Sequence, residues 1–173
     1  MPVAQPAPAP NVYDAEPIPE AARAEIDRLL ATGDLFRYTA ETSPVALLEA
    51  EFAAHLGSRY ALAVSSCSAA LFLSLRALDL PPGAQVLIPA FTFAAVPSAV
   101  VHAGCVPVLV EVGSDYRIDL ADFEAKLDGA AAVLISHMRG HTSDMDAIMA
   151  LATARGLRVI EDAAHSLGTT WGG

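Results

Sequence analysis

The chain has 173 residues, of which 54% are hydrophobic and 17% charged, and its 10 basic and 20 acidic side chains give a formal net charge of −10. This length suits one domain with a substantial core. The acidic balance argues against a nucleic-acid surface, which needs clustered lysine and arginine. No apolar run reaches the roughly 20 residues of a membrane-spanning helix. The N-terminus lacks a basic segment followed by an apolar one, so we expect no secretory signal and a cytoplasmic location.

The first third of the chain is predicted to hold an arm and two helices. Residues 1–12 are rich in proline and alanine without periodicity, which predicts a disordered arm. Apolar residues at helical spacing predict an amphipathic helix over residues 17–30. Ser43 as the N-cap and Pro44 at the first helical position predict a second helix, which runs to about Leu56.

From residue 60 onward, predicted strands and helices alternate. The strands are expected at residues 60–64, 85–88, 106–110, 131–135 and 157–160. The helices are expected at residues 69–80, 94–103, 120–127 and 146–154. Because such alternation forms right-handed βαβ units, we expect a three-layer α/β/α fold with a mostly parallel sheet. Ligands bind these sheets at the carboxyl ends of the strands, so residues that follow the strands are the candidates for a site.

Three of these strand ends carry residues suited to ligand binding. Ser65, Ser66 and Ser68 begin a helix, where hydroxyls and free backbone N–H groups could hold an anion or simply cap the helix. Phe93 could stack on a flat ring or belong to the core. Asp162 either ends its strand in water or, if buried, needs a cationic partner to stay ionised. A phosphate, a planar ring and a ring cation are together the parts of pyridoxal phosphate.

Four sequence segments, in their order and spacing, resemble the motifs of the DegT/DnrJ/EryC1/StrS aminotransferase family. They are AVSSCSAAL at residues 63–71, IPAFTF at 88–93, DMDAI at 144–148 and VIEDAAH at 159–165. The likeness extends from about Pro17 to Gly173. It implies that residues 13–173 form the N-terminal part of the large domain of a type I pyridoxal-phosphate-dependent transferase.

The resemblance implies a cofactor-binding role for five residues. Cys67 and Ser68 occupy the positions whose backbone amide and hydroxyl hold the phosphate, although the family usually has glycine at the first of them. Phe93 corresponds to the aromatic residue that stacks on the pyridine ring. Asp162 is similar to the acid that pairs with the ring nitrogen, and His165 stands near the ring hydroxyl.

By the same resemblance, the expected activity is transamination of a keto-sugar carried on a nucleotide. Glutamate or glutamine would be the amino donor, and the full-length protein would be a homodimer. Arg139 stands where the family commonly has an aromatic residue, which leaves the substrate group open. Two alternatives remain: a pyridoxal-phosphate-dependent sugar dehydratase, and a non-catalytic remnant or half of a split enzyme that binds a partner chain.

The lysine that carries the cofactor in this family lies beyond the VIEDAAH motif, and Lys126 is the only lysine in the chain. Lys126 follows Asp122 by four residues on a predicted helix, a spacing typical of a surface ion pair. We therefore expect no catalytic lysine here, and a truncated chain that is inactive by itself. In the family's sheet the first strand pairs with the last, so segment 60–64 is expected to be an unprotected edge strand.

Two further residue pairs could in principle bind a metal or form a disulfide. His137 and His141 have a spacing that suits metal binding on a helix, but Gly140 intervenes and no third ligand is evident, so no metal site is predicted. Cys67 and Cys105 are too few to form a disulfide framework and are expected to be reduced thiols.

Overall fold

A computed structural model describes residues 15–37 and 40–172. The arm predicted over residues 1–12 lies outside the described residues. The chain divides into two compact units, Met1–Ala61 and Leu62–Gly173. Among the helices in the described ranges, none combines the length and apolar composition of a transmembrane span.

The first unit contains the two predicted helices, α1 (Glu20–Thr32) and α2 (Pro44–Leu56). The N-cap of α2 is Ser43, whose hydroxyl accepts a hydrogen bond from the backbone N–H of Ala46 at 3.4 Å. Gly57 ends α2 with φ +65°, a left-handed conformation that glycine adopts without steric cost. Local capping signals therefore set the bounds of this helix.

The second unit alternates helices and strands along the chain. Its helices are α3 (Cys67–Ala77), α4 (Ala95–His102), α5 (Leu120–Lys126) and α6 (Met145–Ala154), and a 3₁₀ turn covers Met138–Gly140. Its strands are β1 (Gln85–Pro89), β2 (Val106–Val110), β3 (Ala130–Ser136) and β4 (Arg158–Asp162). Neighbouring strands are parallel, in the order β2-β1-β3-β4. The predicted parallel sheet is confirmed.

The sheet is covered by helices on both faces. Val86 and Ile88 of β1 are fully buried in one cluster with residues of α3 and α4. Leu87, which points to the opposite face, is buried in a second cluster with Phe123 of α5 and Ile148 of α6. Strands buried on both faces account for the high apolar content of the chain. The three-layer α/β/α arrangement is therefore confirmed.

The strand predicted over residues 60–64 is wrong. The sheet of the described residues consists of β1 to β4, and segment 60–64 belongs to none of its ladders. Tyr60 and Leu62 are largely exposed. A strand exists only where a neighbour completes its hydrogen-bond ladder, and apolar composition alone does not supply that neighbour. The unprotected edge strand expected here is consequently not formed.

Candidate functional site

A cavity of about 260 Å³ lies at the carboxyl end of the sheet. Its walls come from the start of α3, the loop after β1 and the ends of β3 and β4. The five residues predicted from the sequence all line it: Cys67, Ser68, Phe93, Asp162 and His165. The other lining residues are Leu71, Ala95, Ser136, His137, Met138 and Ala164. Segments separated by almost the whole second unit thus meet at one place.

Asp162 ends β4 as a buried residue, with 8% of its surface exposed. Its Oδ1 accepts hydrogen bonds from the backbone N–H of Ala164 at 3.1 Å and from the thiol of Cys67 at 3.7 Å. Its Oδ2 accepts one from the hydroxyl of Ser136 at 3.1 Å. These donors are neutral, and no described residue forms an ion pair with Asp162. A carboxylate has about four acceptor positions, so one remains for a further donor.

The start of α3 forms the opposite wall. Ser66 is the N-cap, and its hydroxyl accepts from the backbone N–H of Ala69 at 3.1 Å. Cys67 and Ser68 are the first two residues of the helix, where backbone N–H groups have no partner within the helix and attract anions. Partial burial raises the pKa of the Cys67 thiol, and the charge and hydrogen bond of Asp162 raise it further. The thiol is therefore protonated at neutral pH.

Phe93 lies between β1 and α4 with 64% of its surface exposed. It is not a core residue, and its ring is available to a molecule in the cavity. An exposed aromatic ring on a cavity wall is suited to stacking on a flat heterocycle.

The loops after β3 and β4 pack closely at the cavity rim. Nδ1 of His165 accepts a hydrogen bond from the backbone N–H of Arg139 at 3.2 Å. Arg139 and Gly140 both have positive φ, +56° and +79°. A Cβ atom on Gly140 would lie 3.2 Å from the carbonyl oxygen of His165. These contacts hold the loop that carries His165 against the loop that follows β3.

The two histidines considered for a metal site have different surroundings. His137 is buried, and its Nε2 lies 2.9 Å from Oε2 of Glu161. This hydrogen bond lowers the pKa of Glu161, aided by the charge of His137 and opposed by burial. The ring of His141 instead lies 5.5 Å from that of Tyr116. Within the described ranges, no three potential metal ligands come together.

Lys126 forms the predicted ion pair with Asp122, with Nζ 2.7 Å from Oδ2. Its Nζ also donates to the carbonyl oxygen of Leu109 in β2, at 2.9 Å. The strand β2 lies at the opposite edge of the sheet from β4, which carries Asp162. The two polar contacts of Lys126 therefore lie at the edge of the sheet opposite to Asp162.

Ser136 donates to Asp162 and lines the cavity, although it was not among the predicted site residues. The signal was present, because Ser136 directly follows the apolar run at residues 131–135. The rule that residues at strand ends are site candidates would have selected it.

Comparisons with known proteins identify the family of the chain. The model of the DegT/DnrJ/EryC1/StrS aminotransferase family matches residues 19–173. The UDP-N-acetyl-3-dehydro-alpha-D-glucosamine 3-aminotransferase of Acidithiobacillus ferrooxidans is 42% identical over 123 residues, which cover 70% of this chain and 33% of the relative.

Two solved structures share the fold. The aminotransferase from Psychrobacter cryohalolentis has a TM-score of 0.83 at 32% identity, covering 90% of this chain and 39% of its own. NtdA from Bacillus subtilis, with its bound cofactor PMP, has a TM-score of 0.78 at 32% identity, covering 86% of this chain and 34% of its own.

The chain spans between 32% and 40% of the length of the curated relatives it matches. The family model nevertheless covers the described fold from the beginning of α1 to the last described residue. The chain belongs to the DegT/DnrJ/EryC1/StrS aminotransferase family.

Proposed function

We propose that the cavity binds pyridoxal phosphate and that the chain supplies the cofactor-binding part of a keto-sugar aminotransferase. The observation that carries this proposal is the environment of Asp162. Its buried carboxylate accepts three hydrogen bonds from neutral donors and forms no ion pair with a described residue. A buried carboxylate stays ionised most readily beside a positive charge. The protonated ring nitrogen of pyridoxal phosphate supplies that charge.

The other walls of the cavity fit the rest of the cofactor. Phe93 offers an exposed ring for the flat pyridine. Ser68 offers a hydroxyl and a backbone amide at the first turn of α3, where a helix attracts anions. The related NtdA structure contains PMP, the amine form of the same cofactor. The residues present therefore match the cation, the ring and the phosphate of one molecule.

Bound pyridoxal phosphate supplies an electron sink for negative charge on a carbon next to an amino nitrogen. The chain's own residues would hold it in place for this chemistry. Asp162 would keep the proton on the ring nitrogen, since an opposite charge favours the protonated form. Phe93 would cover one face of the ring and exclude water from it. Ser68 and the first turn of α3 would fix the phosphate and so the direction of the ring.

The relatives support a class of substrate. The Acidithiobacillus ferrooxidans protein is a 3-aminotransferase of a UDP-linked sugar, and we infer a keto-sugar nucleotide and an amino-acid donor for the complete enzyme. A homodimer, and residues 13–173 as the N-terminal part of its large domain, belong to the same proposal. Cys67 and Cys105 are both free thiols, which favours a reducing, cytoplasmic location.

Binding of 4-deoxypyridoxine 5′-phosphate to the chain tests the proposal by calorimetry. This compound has the ring and phosphate of the cofactor but no aldehyde, so it cannot react with a lysine. We expect saturable binding, and Ser68→Ala should weaken it about tenfold, because a hydrogen bond to a charged group is lost. Ser74→Ala is the matched control, since Ser74 is an exposed serine on the same helix and should bind normally. Equal binding of 4-deoxypyridoxine without its phosphate would contradict the proposal, as would no binding at all.

A further inference from the structure

The side chain of Cys67, and not only its backbone, contributes to the site. Its Sγ lies 3.7 Å from Oδ1 of Asp162, within the distance of a hydrogen bond to sulfur, although the two residues are 95 positions apart in sequence. Cys67 begins α3, and Asp162 ends β4. The contact therefore joins the two walls of the cavity.

The three hydrogen bonds to Asp162 differ in what they hold. The N–H of Ala164 lies two residues along the chain, and its bond to Oδ1 shapes the turn after β4. The hydroxyl of Ser136 comes from the neighbouring strand β3 and holds Oδ2. The thiol of Cys67 comes from the start of α3 and also binds Oδ1. Without it, the carboxylate would be held only by β3 and by the turn that follows β4.

The protonation state of the thiol supports a role as a hydrogen-bond donor. Burial and the neighbouring carboxylate both raise the pKa of Cys67, so the thiol keeps its proton at neutral pH. A protonated thiol is a poor nucleophile but can donate a hydrogen bond. Nucleophilic chemistry at Cys67 is therefore disfavoured by the same contact.

We propose that Cys67 is a positioning residue, whose thiol donates to Oδ1 of Asp162 and orients the carboxylate toward the cavity. This role rests on the proposed function, because the oriented carboxylate would face the ring nitrogen of the cofactor. A glycine at this position, which the family resemblance makes usual, has no side chain that could donate. The chain would thus orient its aspartate with an additional donor.

The rate at which iodoacetamide alkylates Cys67 tests the contact without any cofactor. In the Asp162→Asn variant the negative charge is gone, so the thiol should ionise at lower pH and react about three to ten times faster at pH 8. Peptide mass spectrometry resolves Cys67 from the buried Cys105, whose labelling reports unfolding. Asp146→Asn, a change at an exposed aspartate on α6, is the control and should leave the rate unchanged. An unchanged rate in Asp162→Asn would overturn the proposal.

Binding of 4-deoxypyridoxine 5′-phosphate to variants of Cys67 tests the consequence for the site. Cys67→Ser keeps a donor and should bind within twofold of the parent, whereas Cys67→Ala should bind about three to ten times more weakly, the loss of one modest hydrogen bond. Equal affinity of the alanine variant and the parent would overturn the positioning role, as would a serine variant as weak as the alanine variant.

The two experiments separate this inference from the proposed function. If no variant and no parent chain binds the compound, the proposed function fails, and with it the ligand-orienting role. The alkylation rates would still show whether the thiol and the carboxylate interact. If the parent binds but the alanine variant binds equally well, the proposed function stands and only the role of Cys67 is overturned.

Discussion

The two edge strands of the sheet each have an aspartate nearby, but the two carboxylates have different hydrogen-bond partners. Beside β2, Oδ2 of Asp122 accepts from Nζ of Lys126 and from the backbone N–H of Glu111, both at 2.7 Å. The hydrogen bond from Lys126 makes the largest contribution to a lowered pKa of Asp122, and the hydrogen bond from Glu111 lowers it further. At the end of β4, Asp162 accepts only from a thiol, a hydroxyl and a backbone N–H.

This difference distinguishes a structural carboxylate from one suited to a ligand. Asp122 has its cation within the chain, so its interactions are complete in the folded protein. Asp162 is more buried, yet no described residue offers it a cation. Buried charges in proteins are normally paired. Perturbed or unpaired buried charges in clefts are common at functional sites, which supports the proposal that a ligand brings the cation to Asp162.

The largest expected effect comes from removing the negative charge of Asp162, with the removal of the charge of Asp122 as the comparison. Asp162→Asn should weaken the binding of 4-deoxypyridoxine 5′-phosphate on the order of a hundredfold, because the ring nitrogen loses its partner in a partly desolvated site. Asp122→Asn removes the same charge beside β2 and should leave the affinity within about twofold of the parent. Calorimetric titration of both variants gives the comparison.

Circular dichroism melting of the same two variants is the control for folding. If Asp162→Asn melts like the parent but fails to bind, the loss lies in the site. Equal loss of affinity in both variants would show that the net negative charge of the chain, rather than the position of Asp162, governs binding. The proposed difference between the two edges of the sheet would then be wrong.

The layers of the fold were predictable because the signals that set them are local. The apolar run of β2 was placed at its observed bounds, residues 106–110. Ser43 was predicted as the N-cap of α2, and its side chain caps that helix in the structure. Caps and apolar runs involve only a few neighbouring residues, so they can be recognised without knowledge of the rest of the chain.

The features that were not predicted depend on residues that lie far apart in the chain. Segment 60–64 is as apolar as a strand, but its pairing depends on which strands lie beside it, and local composition does not contain that information. The thiol of Cys67 reaches Asp162 from 95 residues away, and no local pattern predicts a bond over that separation. The family resemblance predicted the five candidate residues, whereas only the three-dimensional structure identifies the donors to Asp162.

A smaller effect is expected from testing how tightly the end of β4 is packed. Gly140→Ala places a methyl group 3.2 Å from the carbonyl oxygen of His165 at a positive φ. Gly156→Ala has a similar positive φ but no atom within 4 Å of the added carbon. Both should lose about 1 kcal/mol of unfolding free energy through backbone strain. Gly140→Ala should lose about 1 kcal/mol more, through the close contact.

Urea unfolding of the two glycine variants measures this difference. Equal destabilisation would indicate that the loop after β3 yields easily, and that the site end of the sheet is no more constrained than the opposite end. A larger loss in Gly140→Ala would sharpen the view that the His165 loop is held in a fixed position beside Asp162.

The smallest effect is expected at Lys126, although a lysine is the residue that reacts with the cofactor aldehyde. Its Nζ is engaged by Asp122 and by the carbonyl oxygen of Leu109, beside the strand farthest from Asp162. Treatment with stoichiometric pyridoxal phosphate and then borohydride should give no stable adduct at Lys126 by mass spectrometry. Lys126→Met should bind 4-deoxypyridoxine 5′-phosphate like the parent. A specific adduct at Lys126, lost in Asp162→Asn, would join the two edges of the sheet into one site and refute their separation.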